Sequence, residues 1–455
     1  AIWIAIFILP LFNQLVERQL NARSFVNSWA IGGMLLLYIG MSFASSAYPA
    51  FILSRVRLIK VLKTGFSFSG KTGVLRKSLI VFQFMVSVFL IISTIIIFQQ
   101  LYFIQHKDLG YSMDHVLVLP VDGPTRAHFE STKQAIAHLP NVLSVSCGAE
   151  ETTQIKWDDE ISTTSSLLVN PISVRASPTD IDFVKTMGLK IIAGSDFSLS
   201  DWKQLDTTNN PDPHTTYILN ESAVKVLGWK PTEAIGRTLY RSGRKGFVKA
   251  VVRDFNFASL HQAIEPLVIF LNPQYENIFQ AFVKISGKNI PLTIQELEAV
   301  WKQRVPHRPF QYHFLDDNYR VIYHNEQQTA KIFSTFSVLA ILLACLGLFA
   351  LTAYSTEQRA KEIGIRKVLG ANVPQILFLI SGDFLKLVFI ASLLAFPITW
   401  FSMSSWLQDF AYRIHIGWWV FLLAAACLGT IALITVSLQG VRAARANPVK
   451  SLRSD

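Results

Sequence analysis

Charge is scarce in this sequence. Only 16% of its 455 residues are Asp, Glu, Lys or Arg, against roughly 25% in a typical soluble domain, while 51% are hydrophobic. That balance excludes an ordinary soluble protein and points to a membrane. Cysteine is nearly absent too. Of the three, Cys345 and Cys427 fall inside long apolar runs, leaving Cys147 alone outside them. No internal disulfide can therefore staple a domain outside the membrane, whose stability must come from packing. With no His or basic cluster near it in sequence, Cys147 reads as a small core residue rather than a reactive thiol. Catalytic patterns are missing as well: there is no G-x-S-x-G elbow and no Gly-rich dinucleotide fingerprint. His307 and His313 in HRPFQYH lack the spacing of metal ligands, and the acidic run Asp158, Asp159, Glu160 reads as a solvated loop.

Long charge-free runs are abundant. About 20 apolar residues at 1.5 Å each cross a hydrocarbon layer of roughly 30 Å. Trp29 to Ala47, Leu79 to Phe98, Phe333 to Ala353 and Trp418 to Leu438 meet that requirement. A further span runs from Leu385 to Trp406, with Pro397 as a kink and Lys386 reaching the interface. Ala1 to Phe12 is apolar but short and, with no initiating Met, reads as the end of a helix begun earlier.

Orientation follows from Lys and Arg in short loops. SRVRLIKVLKTGFSFSGKTGVLRKS carries Arg55, Arg57, Lys60, Lys63, Lys71, Arg76 and Lys77 with no acidic residue, and so is cytoplasmic. Each of these charges close to anionic lipid is worth roughly 1 kcal/mol. Arg359, Lys361, Arg366 and Lys367, and the tail with Arg442, Arg445, Lys450 and Arg453, fall on the same side by span count. The formal charge of +11 is accounted for by these loops, so no nucleic-acid partner is needed.

The expected fold is an α-helical polytopic membrane protein with one large extracytoplasmic α+β domain. Its divisions are residues 1–52, two spans, the first truncated and ending a preceding unit; 53–77, a basic cytoplasmic loop; 78–104, a span; 105–329, the outer domain; 330–354, a span; 355–375, a cytoplasmic segment; 376–440, two spans; and 441–455, a tail. In the outer domain HVLVLPV, FVKAVV, LVIFL and QAFVKI read as strands. NESAVKVLGW, with Asn220 as N-cap and Gly228 as stop, reads as a helix, as do Thr179 to Gly188 and Pro291 to Pro306.

GFSFSGKT, residues 65–72, satisfies the G-x-x-x-x-G-K-[ST] pattern of a phosphate loop. A working loop needs a strand before it, a helix after it and an α/β domain around it, and between two spans there is no room for that fold. Lys71 therefore serves topology, and the chain is not expected to bind ATP. A short internal echo, IKVLK at Ile59 to Lys63 and VKSLR at Val449 to Arg453, each after an arginine (Arg55, Arg445), hints at a repeated unit.

TEQRAKEIGIRKVLGAN, Thr356 to Asn372, reads as a short cytoplasmic helix leaving a span. Glu357 with Lys361 and Glu362 with Arg366 form i,i+4 pairs worth roughly 0.2–0.5 kcal/mol each, and Gly370 offers a stop. Ile363, Ile365, Val368 and Leu369 give apolar anchors, for a membrane surface or a partner's groove.

EIGIRKVLGA after an apolar span, ANPVKSL in the tail and FLDDNYRVIYHNEQQTAKIFSTFSVLAILLACLGLFAL resemble the FtsX/MacB-like family of ABC transporter permeases. GLKIIAGSDFS and VVRDFNFASLHQAIEPLVIF are similar to that family's periplasmic core domain. The resemblance implies a four-span unit in the bacterial inner membrane that pairs with a second permease unit, as homodimer or fused pseudo-dimer. It implies a cytoplasmic ABC ATPase partner that binds the ATP and Mg, with no cofactor on this chain and no enzymatic activity of its own. ATP hydrolysis would move the periplasmic domain, a mode called mechanotransmission, for efflux or extraction of an antimicrobial, peptide, lipid or lipoprotein, with a periplasmic adaptor or enzyme as further partner. Glu362, Gly364, Ile365, Arg366, Lys367, Gly370 and Ala371 match the motif where the ATPase-coupling element is expected. An alternative is a non-transporting signalling scaffold that activates an extracytoplasmic enzyme or reports to a sensor.

Overall fold

The computed structural model describes residues 2–17, 19, 28–54, 72–165, 171–205, 214–272 and 275–445. The chain forms two compact units. One comprises Ala1–Leu101, Asn325–Leu407 and Ile414–Asp455; the other comprises Tyr102–His324 with Gln408–Arg413.

The first unit is helical. Among the described residues, Lys77–His106, His324–Gln358, Val373–Gln408 and Trp418–Val441 are long and apolar enough to cross a membrane, and Ile6–Val16 and Ile31–Phe43 are shorter apolar stretches. A helix bonds its backbone groups within itself, as an apolar surround requires, although Pro397, inside Val373–Gln408, lacks the N–H for one such bond. Three buried hydroxyls also bond within their own helices: Ser87, Thr352 and Thr399 donate to the carbonyls of Gln83, Leu348 and Ala395, four residues back (3.0, 2.7 and 2.8 Å), whereas those of Ser93 and Ser392 are buried without a partner among the described residues. Phe84, Val88, Ile92, Leu348, Leu387, Ala391, Val420 and Leu428 share one core. Small residues allow close approach: a Cβ on Gly347 would stand 2.8 Å from Gln83 Oε1.

The helices overrun the expected spans. Thr72–His106 begins inside the expected basic loop, so Arg76 and Lys77 stand on its first turns rather than in a loop. His324–Gln358 starts before residue 330 and carries Glu357, and Val373–Gln408 places Lys386 well inside rather than near an end. Polar residues can extend a helix past its apolar run because nothing in Thr72–Lys77 or His324–Thr329 breaks the backbone pattern. Arg55, Arg57, Lys60, Lys63, Lys71 and both copies of the proposed echo, IKVLK and VKSLR, lie outside the described residues. So does GFSFSGK, residues 65–71; Thr72, the last position of the motif, opens a membrane-length helix.

The second unit is a mixed sheet with two parts. Strands β3 (Asp158–Ser162), β4 (Ile172–Thr179), β6 (Thr215–Asn220), β7 (Thr238–Arg241), β8 (Arg244–Val252) and β9 (Leu267–Leu271) close into a ring in the order β4-β3-β7-β8-β6-β9, since β9 returns to pair in parallel with β4. Closure removes exposed edges. β5 (Ile191–Gly194) adds to β8. Tyr217, Leu219, Val248, Leu239 and Val268 fill the ring's core. A wing of antiparallel strands, β11 (His313–Phe314), β1 (Val116–Pro120), β10 (Gln280–Ile285) and β2 (Val142–Gly148), meets the ring where Gly148 pairs Thr179. Helices Phe129–Ala137 and Ile290–Arg304 cover it with Phe129, Ile136, Leu297 and Trp301. Cys147 lies in β2, fully buried, and burial pushes its thiol well above the usual range.

Two expectations are corrected within this unit. The acidic run is strand β3 rather than a solvated loop, because Asp158 pairs with Arg175 (2.8 Å) and Asp159 with Arg241 (2.5 Å) across neighbouring strands. The helix expected from Thr179 starts at Phe183. Thr179 ends β4, held by Gly148 and Leu271. Asn220 caps its helix as expected and does more: its Oδ1 accepts from Ala223 N–H (2.9 Å) and Leu267 N–H (2.8 Å), and its Nδ2 donates to Glu265 O (2.9 Å).

Gln408–Arg413 forms a strap on this unit. Ala411 and Tyr412 N–H donate to the carbonyls of His261 and Leu260 (3.3 and 3.2 Å). His261 Nδ1 donates to Asp409 O (2.9 Å) and its ring stacks on Phe410 at 3.9 Å, while the Lys107 ammonium lies 3.8 Å from the Tyr412 ring centre.

Candidate functional site

The segment after His324–Gln358 is built from a break, a short helix and a turn. The long helix ends at Gln358, Arg359 leaves helical geometry, and a separate helix runs Ala360–Val368. Glu357 and Lys361 therefore belong to different helices. Glu362 does pair with Arg366, at 2.9 Å. Glu362 in the first turn and Arg366 and Lys367 in the last complement the helix dipole, worth about 0.3–1 kcal/mol apiece. Arg359 at the N-cap opposes that dipole, and Asp383 of helix Val373–Gln408 answers it at 2.9 Å.

The helix ends in a Schellman turn. Ala371 N–H donates to Arg366 O (2.9 Å) and Gly370 N–H to Lys367 O (3.1 Å), with Gly370 at φ +93°. A Cβ on Gly370 would meet no atom within 4 Å, so glycine is required by the backbone angle rather than by space. Asn372 then starts the next helix: its N–H donates to Gln375 Oε1 (3.1 Å) and its carbonyl accepts from Gln375 N–H (3.1 Å). The chain reverses from one helix to the next within a few residues.

The two faces of the short helix differ. Ile363 is 6% exposed and joins the helical core with Leu348 and Ile376, a burial worth about 1.5–3 kcal/mol. Gly364 is buried beside it, and Ala371 packs on the same core. Glu362, Ile365, Arg366 and Leu369 are exposed, and their spacing of three, one and three puts them on one helical stripe. Its apolar members are 48% (Ile365) and 81% (Leu369) exposed. The structure thus gathers the seven expected residues into one helix and turn, anchored by one side and open on the other. Arg359, Asp383 and Ile363 complete this element. Ile363, expected to anchor on a membrane surface or in a partner's groove, packs instead into the chain's own helical core, and the Arg359–Asp383 pair joins residues too far apart to be matched by local pattern.

Other expected features belong to the sheet unit. His307 faces Asp122 (3.1 Å) and His313 faces Glu151 (3.0 Å). Among the described residues no group of three or more His, Cys, Asp or Glu is arranged to hold a metal.

Residues 334–448 match the family described as FtsX: FtsX-like permease C-terminal. The match spans the short helix and its turn. No curated protein matches the chain. Among solved structures, the chain is similar to the periplasmic region of MacB from Actinobacillus actinomycetemcomitans, at 16% identity and TM-score 0.34, covering 48% of this chain and 97% of that one. It is also similar to the extracellular domain of the noncanonic ABC-type transporter YknZ from Gram-positive bacteria, at 11% identity and TM-score 0.31, covering 44% of this chain and 97% of that one.

Proposed function

From the match of residues 334–448 to the FtsX-like permease C-terminal family, we propose that the chain is the membrane subunit of an ABC transporter. A separate cytoplasmic ATPase engages it at Ala360–Val368. The observation that carries this reading is the stripe of Glu362, Ile365, Arg366 and Leu369, held outward by a buried Ile363. An amphipathic helix presenting paired anchors suits a partner's groove, and the Schellman turn and the Arg359–Asp383 pair fix its direction.

In this reading the long helices span a bacterial inner membrane, with Ala360–Val368 and the basic residues Arg76 and Lys77 on the cytoplasmic face and the sheet unit outside. ATP and Mg are held by the partner, and the chain itself does no hydrolysis. The sheet unit moves in response and handles the exported or extracted substrate, with a second permease unit completing the membrane assembly.

The test is reconstitution with the cognate ATPase. Ile365→Asp with Leu369→Asp is expected to lower ATPase stimulation by at least about tenfold, as loss of a central apolar anchor does at protein interfaces, while the permease stays folded. Unchanged assembly and stimulation would overturn the assignment of this helix.

A further inference from the structure

Beyond the coupling helix, the outer unit holds a cleft of about 530 Å³ bordered by Glu130, Lys133, Asp180, Asp182, Trp202 and Tyr275. Clefts of roughly 300–1,000 Å³ suit drug-sized molecules. Its walls are built by side chains already held in place. Lys133 Nζ, on helix Phe129–Ala137, donates to Asp180 Oδ2 (2.6 Å) and to Asp182. Asp180 is 2% exposed, and its other oxygen accepts from Ser146 Oγ (2.6 Å). Tyr275 OH donates to Glu130 Oε2 (2.8 Å), and Gln134 Nε2 to Glu130 Oε1 (3.0 Å). The Trp202 and Tyr275 rings stand 5.4 Å apart at 47°.

The charge count on this wall is uneven. Lys133 answers Asp180 and Asp182 together, and burial raises the Asp180 carboxyl above its ordinary range; Glu130 makes no ion pair among the described residues, so Glu130 and Asp182 carry the excess negative charge of the wall. Lys133 cannot neutralise the excess. Burial alone would lower its pKa, but the two aspartates outweigh that and raise it, so it stays charged. A wall that is negative in charge and aromatic in substance is mismatched to anions and to neutral polar solutes. A small hard cation needs several oxygens in direct contact, and Asp180 is closed off by Lys133 and Ser146. A cation with an apolar body matches both features, since aromatic faces attract diffuse positive charge while Glu130 and the half-exposed Asp182 supply the field.

We propose that this cleft binds a drug-sized organic cation, a quaternary or protonated amine on an apolar body, with the charge between Glu130 and Asp182 and the apolar part against Trp202 and Tyr275. The site stands independently of the coupling helix, and its test requires no ATPase. The full chain in neutral detergent is titrated with benzyltrimethylammonium, and with benzyl alcohol as the uncharged control, by equilibrium dialysis. The expected result is saturable binding of one cation per chain and none of the alcohol. Glu130→Gln, which removes the charge and keeps the shape, its amide oxygen still accepting from Gln134 and its NH2 donating to the Tyr275 oxygen, is expected to weaken binding about fivefold, and Trp202→Leu about tenfold or more. Should Trp202→Leu fail to fold, Glu130→Gln still decides the matter. Absence of saturable cation binding, equal uptake of the alcohol, or affinity unmoved by Glu130→Gln would each overturn the proposal.

Discussion

The two units settle their buried polar groups in opposite ways. In the helical unit, Ser87, Thr352 and Thr399 turn back to carbonyls of their own helices, four residues away; Gln100, reaching Ile414 N–H at 3.0 Å, is an exception. In the sheet unit, Lys133 meets Asp180, Arg241 meets Asp159 and Lys249 meets Asp201, across 47, 82 and 48 residues. Helices that satisfy themselves touch their neighbours mainly through apolar packing, which tolerates sliding. Elements joined by charged pairs do not slide without uncovering a charge.

The sharpest way to break this comparison is to remove Lys133. Lys133→Met leaves the buried Asp180 carboxylate without its cation and is expected to cost about 3–5 kcal/mol, measured by denaturant unfolding of the sheet unit in detergent. Adding Asp180→Leu should recover most of the loss, and no recovery would mean that the cost is one of packing rather than charge.

A smaller effect separates the units by pH. Asp122 caps helix Gly123–Ala127, accepting from Thr125 Oγ1 (2.5 Å) and Thr125 N–H (3.0 Å), and faces His307 at 3.1 Å. The Thr125 hydroxyl, then its N–H and His307, hold the carboxyl below its ordinary value of 3.8. A depressed carboxyl stabilises the fold in full above that value and ceases to do so as pH falls below it. Acid titration should therefore unfold the sheet unit more readily, and Asp122→Asn should flatten that limb of the curve. An unaltered limb would place the acid sensitivity on other carboxylates.

The smallest effect belongs to the helical unit. Thr352→Val deletes a hydroxyl bonded only within its own helix, and a stability change of no more than about 0.6 kcal/mol is expected. A loss above about 2 kcal/mol would show that the hydroxyl also serves a neighbouring helix.

The same contrast explains what could be read in the sequence. The long helices, Asn220 as a cap and Gly370 as a stop are local: each rests on a run of apolar side chains, one polar side chain or one backbone angle. The strands of FVKAVV, LVIFL and QAFVKI were equally plain from their β-branched and aromatic content. Closure of the ring was not, because it depends on β4 and β9 pairing in parallel between Arg175 and Leu267. Asp158 to Glu160 looked like a solvated loop because its partners, Arg175 and Arg241, come from other strands. At the candidate coupling site the motif gave the residues, but the division at Arg359 and its Asp383 partner required the folded helices.

The strap Gln408–Arg413 bears on how the sheet unit can be isolated. A continuous fragment from Tyr102 to His324 contains every strand yet omits six residues that belong to the same compact body. Phe410, 1% exposed in the full chain, would be missing from the ring of His261, and the carbonyls of Leu260 and His261 would lose their donors. Such an excised fragment carries an unfilled seat on its surface. Supplying the strap as a tethered peptide is the natural way to close it.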